Sequence, residues 1–375
     1  MSVLDDERFM SMALDLARRG QYTVHPNPAV GCVVVKGNEV VGQGWHQRAG
    51  EPHAEVRALE DAGEQAQGAT LYVTLEPCSH TGRTPPCADA VIRSGVSRVV
   101  IACEDPNPLV RGRGLSALQG VGIEVVTGIC NADAINLNRG FFKRMSCNMP
   151  YVVLKVAASL DGRTAMPGGE SQWITGEESR RDVHRLRALS SSVLTGIGTI
   201  KADDPALTVR HVKTSRQPER VVLDSQLSIS PQARIFDDSG KVYLFTATSA
   251  NRGLKLEGIS NVEIISCPNQ AGRVDLVEML KACAKRQMNM ILIEAGPCLA
   301  GSFLRQGLVD ELVVYLAPDL LGSDALPMFE LPGIARMSDK VQMDMIHMER
   351  YGSDLKLVLM PEEKGINSGI AHTSK

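Results

Sequence analysis

Apolar and polar positions in the first part of the chain alternate between two periods. Phe9, Met12, Ala13 and Leu16 share one face of a helix predicted over 5–19. The β-rich run 30–35 and a second beginning at Val40-Val41 flank Lys36-Gly37-Asn38-Glu39, which predicts a hairpin turn. A helix over 54–62, a strand over 70–75, a helix near 88–94, a strand over 98–102, a helix near 115–118 and a strand over 123–126 follow. Strands alternating with helices predict a layered α/β sheet with parallel pairs.

A break falls near 144–150, where Cys147 lies in a polar stretch read as a linker. From Tyr151 a run of apolar residues predicts a buried strand over 151–157. Further strands are expected at 193–197, 221–223, 242–245, 290–293, 311–316 and 355–360, with helices over 177–189 and near 299–306. The end of the chain is polar and bears Gly and Ser. We therefore expect two domains, 1–147 and 150–361, and a disordered tail over 362–375. At 375 residues the chain is long enough for two separate cores.

Composition narrows the function. Hydrophobic residues make up 43% and charged residues 22%, as in soluble globular proteins. A formal net charge of −3 provides no basic field to hold a polynucleotide. Aromatics at 4% leave few platforms for stacking bases. A small-molecule substrate is expected, with no nucleic-acid partner. Met1 to Leu16 carries Asp5, Asp6 and Glu7 and does not read as a signal peptide, and no stretch approaches a membrane span. The 9 cysteines are odd in number and lack disulfide-like spacing, which fits a reducing cytoplasm.

The chemistry concentrates in His53-Ala54-Glu55 and the segment from Pro77-Cys78 to Pro86-Cys87. One imidazole and two thiolates form a three-ligand zinc set that leaves a fourth position for water, and Glu55, not itself a ligand, can shuttle protons. Zinc deaminases of bases carry this His-x-Glu and Pro-Cys signature. Their usual second cysteine stands three residues after the first, where this chain has Thr81. Cys87 therefore requires a loop over 79–86, which Gly82, Pro85 and Pro86 suit. The alternative is a closed structural site with His80 as fourth ligand. Helix starts at His53 and Cys87 point positive dipole ends at the site.

Signals in the second half are weaker. Gly196-Ile197-Gly198 lacks a third glycine, and the stretch from Gly296 to Gly301 lacks the Lys-Ser/Thr of a P-loop. Each can be a plain turn. Glu294 to Pro297, however, follows a strand and precedes a helix, where backbone N–H groups can meet phosphate. The polar cluster from Lys201 to Arg210 can be a solvated loop, and Arg187 a surface residue. Lys155 inside an apolar strand is unusual and points to a cleft. Asp161-Gly162 reads as a turn.

Together these segments resemble the bifunctional riboflavin-biosynthesis enzymes, a pyrimidine deaminase fused to a 5-amino-6-(5-phosphoribosylamino)uracil reductase. The resemblance rests on His25-Pro26-Asn27-Pro28, His53-Ala54-Glu55, the long loop from Pro77 to Cys87, Asp105-Pro106-Asn107-Pro108, Lys155 to Thr164, Ser171 to Thr175, Ala202 to Arg210 and Glu294 to Ser302. It implies a cytidine-deaminase-like three-layer α/β/α domain followed by a dihydrofolate-reductase-like α/β domain. It implies zinc on His53, Cys78 and Cys87 with Glu55 catalytic. Asn27, His46, His80, Arg83, Asp105 and Asn107 are then substrate contacts in the first domain. In the second it implies an NADPH site of Ala157, Trp173, Thr199, Asp203, Ser225 and the turn Gly296, Pro297, Cys298, Leu299, Ala300, Gly301 and Ser302. Lys155, Ser171, Arg187, Leu207, Arg210 and Glu294 are implied for the substrate. A homo-oligomer is expected.

Overall fold

The computed structural model describes residues 3–79, 86–108, 110–238, 240–249 and 256–362. The chain divides into two compact units, Met1–Asn148 and Met149–Lys375. The tail expected to be disordered lies outside the described residues except for Glu362, whose N–H donates to the Gln342 carbonyl at 3.1 Å. No described helix is long and apolar enough to cross a membrane.

In the first unit the order is α1 (Val3–Arg18), β1 (Gly31–Lys36), β2 (Glu39–Trp45), α2 (Ala54–Ala62), β3 (Thr70–Val73), α3 (Cys87–Arg93), β4 (Arg98–Ile101), α4 (Arg113–Gly120), β5 (Glu124–Thr127), α5 (Asn131–Leu137) and α6 (Arg139–Cys147). The sheet runs β2-β1-β3-β4-β5, antiparallel across the first three strands and parallel thereafter. Its layering follows from two glycines. Gly44 lies opposite Cys32 in the β1–β2 ladder, so it faces away from the side that Gly31 faces. A Cβ on Gly31 would lie 1.9 Å from the Ala13 carbonyl oxygen of α1, and one on Gly44 2.6 Å from the Ala54 carbonyl oxygen of α2. Only glycine permits either approach, and α1 and α2 therefore cover opposite faces.

The expected linker at 144–147 is instead the last turn of α6. Phe141 of that helix is buried in the first core, with Phe142 and Met145 packed against it. That apolar spacing outweighs the polar residues between them.

The second unit contains β6 (Tyr151–Ser159), β7 (Arg163–Ala165), α7 (Glu177–Leu189), β8 (Ser192–Gly196), α8 (Ile197–Asp203), β9 (Glu219–Leu223), β10 (Val242–Thr246), β11 (Val262–Ser266), α9 (Leu276–Lys285), β12 (Met290–Ile293), α10 (Pro297–Arg305), β13 (Glu311–Ala317), β14 (Leu326–Pro327), β15 (Met343–Tyr351) and β16 (Asp354–Pro361). Nine strands form one sheet in the order β11-β10-β9-β8-β12-β6-β13-β16-β15. Pairing is parallel from β11 to β13, and β16 and β15 close the edge antiparallel. Parallel strands buried on both faces read as unbroken apolar runs, as 151–154 does. Val183 of α7 joins the core on one face with Val153, Val193 and Leu292. Residues of α9 and α10 join the other with Val152, Leu194 and Ile293.

One buried ion pair ties the first unit together. Arg98 on β4 donates to both carboxylate oxygens of Asp6 on α1, at 2.8 and 2.9 Å, and the Tyr72 hydroxyl donates to the same group at 2.7 Å. Hydrogen bonding from Arg98, more than any other cause, lowers the Asp6 pKa. A depressed carboxyl pKa adds stability above the unfolded value and loses it as pH falls through the folded one. Asp6→Asn should therefore cost roughly 3 kcal/mol at pH 7 in urea unfolding. The gap from the parent should narrow progressively as pH falls below about 4. A gap that stays constant as the pH falls would assign the loss to packing rather than charge.

Candidate active sites

The first site forms where α2 and α3 begin beside the end of β3. His53 occupies the residue before α2 with extended backbone, and Glu55 lies in its first turn. Cys78 follows β3, and Cys87 opens α3, where its N–H donates to the Cys78 sulfur at 3.3 Å. His53 Nδ1 lies 3.1 Å from Cys87 Sγ and 3.6 Å from Cys78 Sγ. The three donor atoms lie within 4.8 Å of one another. A tetrahedral zinc with ordinary bond lengths separates a nitrogen and a sulfur ligand by ~3.6 Å. The donor set and its spacing thus fit the metal.

The same packing sets the acid–base state. Hydrogen bonding from Cys87, ahead of that from His53, brings the Cys78 thiol down to about 4, and the Cys87 thiol is pushed up by holding the shared proton against Cys78. The hydrogen bond to Cys78 raises His53. Protons held between three converging donors are those a metal displaces. Glu55 is 3% exposed, and burial pushes its carboxyl up to about 7. A dication on its neighbours pulls in the opposite direction.

Other expected first-site residues adjoin this cradle. Asn27 Nδ2 is 3.1 Å from His46 Nε2, and His46 Nδ1 is 3.4 Å from the Pro52 carbonyl. Donation from Nδ1 to the carbonyl leaves Nε2 to accept from Asn27. The His46 and His53 rings meet edge to face at 5.1 Å. Asp105 is buried, and its Oδ1 accepts from the Asn107 N–H at 2.8 Å. His80 and Arg83 lie outside the described residues. Glu76, which the motif reading passes over, is buried between β3 and Cys78.

The second site lies at the carboxyl ends of the parallel strands. Ile293 pairs with both Leu154 and Leu194, so the next residues, Glu294, Lys155 and Thr195, stand side by side on one face. Arg187 of α7 donates to Glu294 through Nε at 2.5 Å and Nη2 at 3.0 Å, and Lys155 Nζ lies 3.6 Å from the same carboxylate. Burial opposes ionisation of Glu294, but Arg187 and then Lys155 outweigh it and hold the carboxyl down to about 2. Arg187 is therefore no surface residue: its side chain is 12% exposed and paired. Its Nη1 also donates to the Thr208 carbonyl at 3.0 Å, in the loop that carries Leu207 and Arg210.

That loop is fastened on further sides. The Arg210 N–H donates to His184 Nδ1 at 3.3 Å, while Gln217 exchanges two hydrogen bonds with the Val209 backbone. Leu207 is buried at φ 54°, and the Arg210 side chain is exposed. Burial, then Arg187, brings His184 down to about 4, so it accepts as a neutral imidazole.

The expected cofactor residues lie on β6 and α8, after β9, at the start of α10 and, for Trp173, in the segment before α7. Ala157 lies two residues beyond Lys155 on β6. Thr199 and Asp203 are on α8, so the polar cluster beginning at Lys201 starts as helix rather than loop. Gly196 abuts Leu299 of α10: a Cβ there would lie 3.1 Å from that side chain. This brings the two glycine turns together. Gly296 and Cys298 are exposed at the start of α10, whereas Ala300 and Gly301 are buried, Gly301 against the Glu330 backbone. The Ser225 hydroxyl accepts from the Val274 N–H at 3.2 Å. Trp173 is 69% exposed with the Arg180 guanidinium 4.6 Å from its ring centre. Ser171 is half-buried two residues before it.

Family comparison agrees with this division of chemistry. The cytidine and deoxycytidylate deaminase zinc-binding region matches residues 4–103, and the RibD C-terminal domain matches residues 150–357. The chain belongs to the RibD family. The riboflavin biosynthesis protein RibD of Escherichia coli (strain K12) is 51% identical over 369 residues, covering 95% of this chain and 100% of that one. The Haemophilus influenzae RibD is 47% identical, covering 94% and 97%. Among solved structures, Acinetobacter baumannii RibD superposes with a TM-score of 0.90 at 45% identity over 96% of this chain and 100% of that one. A Thermotoga maritima deaminase/reductase gives 0.86 at 34% identity over 96% and 99%.

The chain is accordingly a bifunctional riboflavin-biosynthesis enzyme, a zinc deaminase followed by an NADPH-dependent reductase acting on a small pyrimidine. Its fold is a cytidine-deaminase-like unit followed by a reductase unit of the RibD type. Replacing one donor of the cradle should weaken zinc at least about a hundredfold. In Cys87→Ala, elemental analysis after dialysis should find less than about a tenth of the parent's zinc, given that loss of affinity. Full retention would exclude Cys87 as a ligand.

Proposed function

We propose that residues 1–147 deaminate 2,5-diamino-6-(5-phosphoribosylamino)pyrimidin-4(3H)-one and that residues 150–361 reduce the ribosyl group of the product to ribityl. The Thermotoga maritima relative is described as a diaminohydroxyphosphoribosylaminopyrimidine deaminase and 5-amino-6-(5-phosphoribosylamino)uracil reductase, which supports this substrate. The observation that carries the reading is the convergence of His53, Cys78 and Cys87 beside buried Glu55.

In the first unit His53, Cys78 and Cys87 hold the zinc. Bound zinc supplies Lewis acidity and makes a water acidic enough to ionise near neutral pH. Glu55 takes a proton from the attacking water and passes it to the ring nitrogen, then takes the proton of the hydroxyl left on the pyrimidine carbon and passes it to the amine, which leaves as ammonia. A carboxyl lifted by burial serves in both directions. Asn27, His46, Asp105 and Asn107 contact the pyrimidine or its ribose phosphate, joined by His80 and Arg83, which precede Cys87 in sequence.

In the second unit bound NADPH supplies the hydride. Ala157, Trp173, Thr199, Asp203, Ser225 and the turn from Gly296 to Ser302 line its site. Glu294, held ionised by Arg187 and Lys155, orients the ring-opened ribose together with Ser171 and Leu207. Arg210, exposed at the rim, suits the substrate phosphate because its planar fork donates two parallel hydrogen bonds.

The reading further includes a homo-oligomer in the cytoplasm, with neither nucleic acid nor membrane as partner. Edge strand β15 presents exposed Met345, Ile346 and Met348, a surface suited to a second copy. Two thiol ligands suit a reducing compartment.

Glu55→Gln should keep one zinc per chain and lose deamination by at least about a hundredfold. Ammonia release near the parental rate would remove Glu55 from the mechanism. Arg210→Ala should raise KM in the reductase step about tenfold or more, since charge-assisted phosphate contacts are strong. Deamination should not change, and a fall in it would contradict separate sites.

A further inference from the structure

Glu76 stands two residues before Cys78 and is 3% exposed. A buried carboxylate demands hydrogen-bond donors, and its donors come from a distant part of the chain. Oε2 accepts from the N–H of Asp105 at 3.2 Å and of Gly112 at 3.1 Å. Oε1 accepts from the N–H of Gly114 at 2.9 Å and of Leu115 at 3.4 Å. Three of these four amides belong to the start of α4. That helix begins after Gly112 in a left-handed conformation and has no side-chain cap of its own. Glu76 supplies the cap from beyond the end of the neighbouring strand β3, with its charge at the positive end of the helix.

The two ends of segment 105–112 thus converge on one carboxylate. Within the segment, Asn107 N–H donates to Asp105 Oδ1, and the N–H groups of Val110 and Arg111 donate to the Asn107 carbonyl at 2.9 Å each. Gly114 permits the arrangement. A Cβ there would lie 2.2 Å from the Pro77 carbonyl oxygen and 3.1 Å from Glu76 Oε1. The Glu76 N–H donates to the Cys103 carbonyl at 3.0 Å, tying the end of β3 to the residue before this segment's approach.

We propose that Glu76 is a positioning residue for deamination. It fixes the segment bearing Asp105 and Asn107 against the strand end that delivers Cys78, so that substrate contacts and metal ligands keep one spacing. The proposal rests on the reading of Asp105 and Asn107 as substrate contacts. Four donors on two oxygens require a carboxylate: an amide of the same size turns an NH₂ group toward one pair of N–H donors.

Glu76→Gln is therefore the test, in the full chain. Zinc content should stay at one per chain, and NADPH oxidation on the deaminated intermediate should match the parent. KM for deamination should rise about tenfold or more with kcat within about threefold, as expected for lost binding geometry. Amide exchange at Gly112 and Gly114 should accelerate about tenfold or more as their hydrogen bonds go. Combined with Asp105→Ala, the rise in KM should be smaller than the product of the single effects, because both act through one segment. Unchanged KM with zinc retained overturns the proposal, as does loss of zinc and kcat together at unchanged KM, which makes Glu76 a support of the metal cradle alone. Asp105→Ala with unaltered KM removes Asp105 from the substrate site. The KM rise of Glu76→Gln then still carries the positioning role through Asn107. Should the Gln variant not fold, Gly114→Ala displaces the same helix start with the carboxylate intact. It is expected to raise KM in the same direction, and an unaltered KM there overturns the proposal.

Discussion

Taking a carboxylate out of water costs several kcal/mol unless it is paired or takes up a proton. Glu55 in the first unit and Glu294 in the second answer that cost differently. Glu55 lies in the first turn of α2 with burial as the dominant influence, and its carboxyl rises to about 7. Glu294 is met by Arg187 and Lys155 and is held down to about 2. One environment makes a group that exchanges protons, and the other makes a fixed charge. On the function proposed above, the same residue type serves acid–base chemistry in the first reaction and orientation in the second.

Backbone packing makes both environments. In the first unit Gly31 and Gly44 let two helices lie directly on the sheet, and α2 arrives with His53 and Glu55 at the level where β3 ends. In the second, parallel register alone places Lys155, Glu294 and Thr195 in a row, and α7 lowers Arg187 onto it. Functional groups collect at strand ends because there the side chains leave the core while the backbone stays rigid.

The convergence of His53, Cys78 and Cys87 was legible from residue types, since His, Cys, Cys and a neighbouring Glu have few other uses together. Strands such as 151–157 and the helix over 177–189 were legible because burial on two faces or one leaves a plain pattern. The Arg187–Glu294 pair was not, because the partners lie 107 positions apart and meet only through sheet register. Edge strand β15 escaped as well. Most of its residues are exposed, so no alternation of apolar and polar marks it. Helix α9 does carry the signs, with Asp275 accepting from two N–H groups at its start and Leu276, Met279, Leu280 and Cys283 buried on one face.

Two independent chemistries run in sequence in one chain. The most direct measurement follows ammonia release and NADPH oxidation together on the phosphoribosylamino-pyrimidine, for native protein and for protein stripped of metal by a chelator. Ammonia should appear before NADPH is consumed in the native enzyme. Stripped protein should release none, yet should oxidise NADPH at the native rate when given the deaminated intermediate. NADPH consumption ahead of ammonia, or loss of both activities with the metal, would rule out two independent sites acting in that order.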